Sequence, residues 1–289
     1  MPGDGAGGDV RFDPLTGDAA VIVRERQARP NQDTGPCPFC PGGLEAPEPY
    51  DVRWFPNRWP PLPDARAEVL LFAPDHHESL ATLGAARVTR ALHLCADRTL
   101  AQGARAGVDY VLIFENRGAA VGATVDHPHG QLYAFGTVPP AAERELVGGG
   151  PCPLCADPPE ELIVAAGDGW RAWVPDAATY PYELRVAPVE HLPDLPAAAA
   201  TFTGAARVLG AALRAVDRLL GAPVPSMTWV HQRPTDGRNW PRAHLHVHVA
   251  PLWRAAGVTR FVAAGELGSG VWFNPVAPDE AAAALRGHR

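Results

Sequence analysis

Two groups of residues in this 289-residue chain are spaced for chemistry. The first is Asp126-His127-Pro128-His129-Gly130-Gln131, in which two imidazoles flank one rigid residue and precede a glycine and an amide. The second is a pair of Cys-x-x-Cys turns, Cys37/Cys40 in GPCPFCPGG and Cys152/Cys155 in GGPCPLCADPP. Thiols separated by two intervening residues in Gly/Pro-rich turns fit zinc knuckles better than disulfides or a redox pair, which would need one such pair opening a helix. Cys95, at helical spacing in ALHLCADRTL, is expected to be a buried apolar residue.

The two knuckles belong to a repeat. Cys37 and Cys40 recur 115 positions later as Cys152 and Cys155, and His76 recurs at the same interval as His191; His127 recurs 117 positions later as His244. Each copy therefore offers Cys, Cys, His, His, a donor set that matches tetrahedral Zn²⁺ with no open position, and such a metal is structural. Site one would be Cys37, Cys40, His76 and His127, with His77 as a possible substitute for His76. Site two would be Cys152, Cys155, His191 and His244.

These residues need two copies of one module to hold them, 1–148 and 149–289, joined by the turn GGGPCP. Strand-like runs in the first are AAVIVRE, AEVLLFAP, DYVLIFEN and QLYAFGTV, around the helical ATLGAARVTRALHLCADRTLAQG. The second has WRAWVP, ELRVAP, SMTWVHQ and HLHVHVAP, around AATFTGAARVLGAALRAVDRLLG. One long amphipathic helix on a mostly antiparallel sheet, twice, gives an α+β class.

On a strand, residues i and i+2 share a face, so His127 and His129 are expected to project together, about 6–7 Å apart. With His127 on zinc, His129 stands beside it, either as a nucleophile or as a member of a polar hydrogen-bonding face; spacing alone allows both. Pro128 cannot donate to a ladder and marks an edge or an interruption. Gly130 would let a ligand approach the backbone, and Gln131 would offer its amide to a reacting group. His244, His246 and His248 would likewise share a face, without the Pro-x-Gly interruption.

Composition narrows the function. All 25 basic residues are arginine, which removes Schiff-base lysine chemistry and suits bidentate recognition of phosphate or carboxylate. A net charge of −7 without a basic run is poor for gripping a nucleic-acid backbone. No apolar run approaches the ~18 residues of a membrane span and MPGDGAGGDV has no signal-peptide pattern, so a cytoplasmic location and no membrane partner are expected.

HPHGQ, with FENRG upstream, resembles the active-site segment of the galactose-1-phosphate uridylyltransferase family, a branch of the histidine-triad superfamily with two fused copies of that fold. RERQARP, FPNRW, PDH, AERE, TYPYELRVAP, WVHQRP and RFVAAGEL extend the resemblance over nearly the whole chain. It implies that His129 attacks the α-phosphorus of a nucleotide sugar to give a nucleotidyl-histidine, resolved by a hexose 1-phosphate in ping-pong fashion. It assigns Gln131 and Thr124 to the phosphoryl group, Asn116 to nucleotide positioning, and Arg26 and Arg29 to phosphate. Asn57 and Trp59 fall where the base and ribose bind, and Arg260, Phe261 and Glu266 where the sugar binds. It also implies a homodimer. Gly265 stands where the family has an aromatic, and GELGSGVWFNPVAPDEAA is similar to the ADP-glucose phosphorylase branch, which carries a second Cys-x-x-Cys pair and a second zinc. Other members hold a metal on a glutamate and three histidines, here Glu145, His231, His246 and His248. Between the two sets for the second metal site, the 115-residue recurrence favours the cysteines; uridine is the expected base, with transfer of a UMP group, and adenine the alternative. A nucleotide-sugar hydrolase and a non-catalytic zinc-stabilised binding module are the competing functions.

Overall fold

A computed structural model describes residues 8–28 and 35–287. Its centre is one nine-stranded, wholly antiparallel sheet. In chain order its strands are β3 (Arg53–Pro56), β4 (Ala67–Leu71), β5 (Tyr110–Arg117), β6 (His129–Phe135), β7 (Ile163–Gly167), β8 (Trp170–Trp173), β9 (Leu184–Pro188), β10 (Ser226–His231) and β11 (His246–Pro251). Their spatial order is β3-β4-β6-β5-β10-β11-β9-β8-β7. The strands before residue 149 form one side and those after it the other, meeting where β5 pairs with β10. A hairpin, β1 (Asp9–Phe12) with β2 (Ala19–Ile22), precedes the sheet, and β12 (Trp253–Ala255) with β13 (Val258–Thr259) follows it.

The strand-like runs seen in the sequence all fall on these strands. β3 and β7 were hidden because one is short and half exposed and the other carries small residues beside a glycine turn. The helices are α1 (Ala85–Gly103), α2 (Pro140–Leu146), α3 (Leu195–Ala198), α4 (Phe202–Leu220), α5 (Ala264–Ser269) and α6 (Pro278–Arg286). α1 and α4 are the two long amphipathic helices expected, each starting three or four residues later than the apolar periodicity suggested. Among the described residues no helix is long and apolar enough to cross a membrane.

The sheet has two unlike faces, because side chains alternate along each strand. One face is covered by α1 and α4, with Leu70, Leu132, Val111, Ile113, Leu184, Val186, Val247 and Val249 in the core against them. Burying that many branched and aromatic side chains, each worth about 1.5–3 kcal/mol, is the main force holding helices to sheet. Cys95 lies in this core, 5% exposed, and burial pushes its thiol up to about 12. Glu68 is also on this face and is satisfied by Arg98 and Gln102 of α1. The opposite face carries the histidines. There the first knuckle packs Phe39 and Ala46 on Val69 and Leu71 of β4.

Candidate active site and metal centres

The first knuckle is a tight turn that folds back on itself: the Gly43 N–H donates to the Cys40 carbonyl at 2.7 Å and the Glu45 N–H to the Pro38 carbonyl at 2.9 Å. This aims Cys37 and Cys40 at two histidines. Cys40 Sγ is 3.5 Å from His76 Nδ1 and 3.8 Å from His127 Nδ1, and Cys37 Sγ is 3.7 Å from His127 Nδ1. In the second half Cys155 Sγ is 3.1 Å from His191 Nδ1 and 3.8 Å from His244 Nδ1, and Cys152 Sγ is 3.5 Å from His244 Nδ1. A tetrahedron with metal–sulfur bonds of about 2.3 Å and metal–nitrogen bonds of about 2.0 Å has S···N edges of about 3.5 Å. Both quartets have that size, and His76, not His77, completes the first.

The far side of each ring is anchored as a metal ligand requires. His127 Nε2 is 2.9 Å from the Ala73 carbonyl and His244 Nε2 is 3.0 Å from the Pro188 carbonyl. A carbonyl can only accept, so Nε2 is the donor and Nδ1 carries the lone pair facing the thiols. Tyr50, unmarked by any sequence motif, joins this shell: its hydroxyl is 2.7 Å from the Phe39 carbonyl and 2.9 Å from His127 Nε2. Burial lowers the His127 pKa and takes His244 down to about 4, which keeps both rings neutral near pH 7.

The structure brings together a third quartet as well. Glu145 on α2 meets His231 at the end of β10 and His246 and His248 on β11, with all four donor atoms within 4.8 Å of one another. Carboxylate oxygens lie 2.7 Å from His231 Nδ1, 3.3 Å from His246 Nε2 and 3.7 Å from His248 Nε2. Bonds of about 2.1 Å to nitrogen and oxygen predict edges of about 3.0–3.5 Å, so this donor set also has the span of a metal site. His248 Nε2 is buried with no hydrogen-bond partner among the described residues, a gap a cation would fill. The two ligand sets that compete in the sequence are thus separate clusters, both assembled.

Strand geometry corrects one expectation. β6 begins at His129 and β11 at His246, so His127 and His244 lie just before the ladder and not on the strands themselves, while Phe39 packs on both the His127 and the His129 ring. Pro128 marks the start of an interior strand, not an edge. The outcome is a hook: His129 Nδ1 donates to the His127 carbonyl at 2.7 Å, and His246 Nδ1 to the His244 carbonyl at 2.8 Å. With its proton on Nδ1, His129 carries its lone pair on Nε2. Phe39 of the knuckle lies edge-on to this ring, centroids 5.1 Å apart.

Gln131 follows on the same face. Its Oε1 accepts from Asn57 Nδ2 at 3.2 Å and from the Tyr133 hydroxyl at 3.4 Å, so its NH₂ end is turned away from both. Arg26 Nη1 donates to the Tyr133 hydroxyl at 3.4 Å, bringing this arginine into the group. Asn57 is committed at both ends, because its Oδ1 accepts from the Trp59 N–H at 2.9 Å. Asn116 lies on β5 opposite Met227, on the face of Phe114, whose strand partner is Gln131. Thr124 is part-buried in the loop before Asp126, and Arg29 is outside the described residues. Gly130 points the other way: a Cβ there would meet Phe72 Cζ at 2.6 Å and the Phe114 carbonyl at 3.1 Å. Glycine is required by packing against the helix-facing core, and not by a ligand.

Arg260, Phe261 and Glu266 form a separate group. The buried Arg260 pairs with Glu266, donates to the Thr179 carbonyl at 3.2 Å and lies 4.7 Å from the Tyr180 ring centroid. Glu266 also accepts from the Ala263 and Phe273 N–H groups, and Phe261 is 79% exposed. Among the described residues no hydrogen bond or ion pair joins these three to the His129–Gln131 group. Tyr133 and Tyr50 are the residues sequence reasoning missed; Tyr133 could have been found from its i+2 spacing to Gln131.

Comparison with known proteins agrees with this geometry. Residues 63–139 match the family described as galactose-1-phosphate uridyl transferase, N-terminal domain. A galactose-1-phosphate uridylyltransferase from Thermotoga maritima is 31% identical, over 96% of this chain and 98% of its own length. A solved uridylyltransferase superposes with a TM-score of 0.86 at 28% identity, covering 96% of this chain and 97% of that one. An ADP-glucose phosphorylase from Arabidopsis thaliana is 25% identical over 96% of this chain and 92% of its own. With a hooked histidine, a buttressed glutamine and a relative matched along its whole length, the chain belongs to the galactose-1-phosphate uridylyltransferase family.

Proposed function

We propose that the protein moves a uridylyl group between a nucleotide sugar of the UDP-glucose type and a hexose 1-phosphate, by way of a covalent nucleotidyl-histidine on His129. The observation that carries this is the Nδ1 hook to the His127 carbonyl, which leaves the nucleophilic lone pair on Nε2. Nε2 attacks the α-phosphorus as its bond to the sugar-phosphate oxygen breaks, and hexose 1-phosphate departs. A second hexose 1-phosphate then attacks the same phosphorus and the P–N bond breaks, returning neutral imidazole. An imidazole in its neutral form attacks without a separate base. Phosphoryl transfer is mostly positioning and charge stabilisation. Gln131 would donate its amide N–H to a non-bridging oxygen, with Arg26, Arg29 and Thr124 on the phosphates. Asn116, Asn57 and Trp59 would line the nucleotide side, Arg260, Phe261 and Glu266 would take the sugar, and a homodimer is the expected assembly.

Zn²⁺ is the fitting ion for Cys37, Cys40, His76, His127 and for Cys152, Cys155, His191, His244. With four protein donors it supplies rigidity, not an activated water. The matched hooks at His129 and His246 and the matched carbonyl anchors at Ala73 and Pro188 support reading 1–148 and 149–289 as two copies of one module.

Intact-protein mass after mixing with UDP-glucose tests the reading: a gain of one UMP, located on the peptide containing His129, is expected, and acceptor-dependent turnover should follow. No adduct with either UDP- or ADP-sugars would sink it. A second reading, adenylyl transfer, is favoured by the relative named ADP-glucose phosphorylase; an AMP adduct from ADP-glucose and none from UDP-glucose would select it. Release of UMP without acceptor would select a hydrolase.

A further inference from the structure

Beside the Glu145–His231–His246 cluster, and lined as well by Cys152 and His244 of the second quartet, lies a cavity of about 150 Å³. It is large enough for several waters. In a chain of net charge −7 its lining includes three arginines, Arg144, Arg185 and Arg242. Two are short of partners. Arg185 Nε and Arg242 Nε are buried with no hydrogen-bond acceptor among the described residues. Among the described residues, Arg242 donates from Nη1 to the Gly149 carbonyl at 3.3 Å. Arg185 stands directly across the ladder from His248, so its side chain is on the metal-binding face. Buried N–H donors without acceptors are costly and rare. Both of these residues line the cavity, next to a cluster whose third nitrogen, His248 Nε2, is also unpartnered among the described residues.

We propose that this cavity is a second oxyanion site, taking a phosphate-class ligand between the guanidinium groups of Arg185 and Arg242 and a divalent cation held by Glu145, His231, His246 and His248. Guanidinium N–H groups match the oxygens of such an anion. The volume suits free phosphate, and a phosphate monoester would have to leave its organic part at the opening. The site is independent of transfer at His129.

The test uses protein with its cysteine sites intact and Mn²⁺ added, since carboxylate and imidazole accept Mn²⁺ and thiolates select softer ions. Inorganic phosphate and, separately, a hexose 1-phosphate are titrated while the ³¹P line width is read. Saturable broadening is expected, unchanged in His129→Ala and abolished in His248→Ala, which should not retain the ion. Arg185→Gln should raise the half-saturating concentration about tenfold or more with Mn²⁺ content unaltered. Arg242→Gln, on the half-exposed rim, should weaken binding too, and decides the matter if Arg185→Gln fails to fold. Broadening by the monoester alone would name the monoester as ligand. No broadening with either probe, or equal midpoints in both arginine variants and wild type, would overturn the proposal.

Discussion

Gln131 and His248 stand in one cross-strand row of the sheet, separated by Phe114 and Trp229. The row continues to Arg185 and Trp173. The residue assigned to the reacting phosphoryl group and a ligand of the third cluster thus share a face and a register, and Trp229 stacks on the His248 ring at 4.6 Å with 9° between planes. Packing of this kind fixes a ligand's orientation. Trp229→Leu should therefore reduce metal retention at the Glu145 cluster and spare the two cysteine sites, as counted by metal analysis per chain before and after dialysis.

Tyr133 links Arg26 to Gln131 through its hydroxyl alone. Tyr133→Phe keeps the ring between Phe114 and Phe135 and deletes two hydrogen bonds, a neutral one to Gln131, worth about 0.5–1.5 kcal/mol, and one from the Arg26 guanidinium. A fall in kcat of about two- to tenfold is expected, with KM for the nucleotide sugar little changed and thermal stability kept. Steady-state kinetics separates this from a purely structural role, which would lower Tm and leave kcat per folded molecule intact.

Gly130 offers a packing test. Gly130→Ala pushes a methyl group at Phe72 and the Phe114 carbonyl, and overpacking of this sort costs about 1–3 kcal/mol. A lower denaturation midpoint is expected. Pairing it with Phe72→Leu should recover part of the loss; no recovery would show that the ring is not the obstacle.

Glu115, on the helix-facing side of β5 opposite Thr228, is raised by burial to about 7, with Arg117 opposing. In the folded chain it keeps its proton between about pH 4.5 and 7, where the unfolded chain has lost it. Its contribution to stability therefore falls as pH rises through that window and is constant above it. Glu115→Gln should remove the slope and become progressively more stable than wild type up to pH 7, by as much as about 3 kcal/mol. Denaturant titrations at pH 5 and pH 8 measure this directly; an unchanged difference between them would refute the assignment.

Cys37→Ser and Cys152→Ser should each lower zinc by about one per chain and reduce Tm, because structural zinc contributes folding free energy. The first should also lower activity, since His127, through its carbonyl, orients His129. The second should leave turnover per folded molecule close to wild type. Metal analysis alongside kinetics distinguishes them.

Much of this was legible in the sequence because it is written in spacing. The 115-residue recurrence of cysteines and histidines anticipates both quartets, and alternating apolar runs anticipate most of the sheet. What stayed hidden depends on contacts without a period. β6 and β11 start two residues later than the histidine alternation implies, after the two histidines that cluster with the knuckle cysteines. Glu145 and its three histidines come from α2, β10 and β11, and only the folded chain shows that their cluster coexists with the second cysteine quartet. Tyr50 reaches His127 and Tyr133 reaches Arg26 through hydrogen bonds that span 77 and 107 residues of chain.

The junction of β5 with β10 runs through the middle of the sheet without a break. Cutting the chain in the Gly148–Gly150 turn would expose a raw strand edge on each fragment, and such edges seek a mate. Fragments made separately should be poorly soluble, yet co-expressed they should anneal into a nicked enzyme, since each carries the complement of the other.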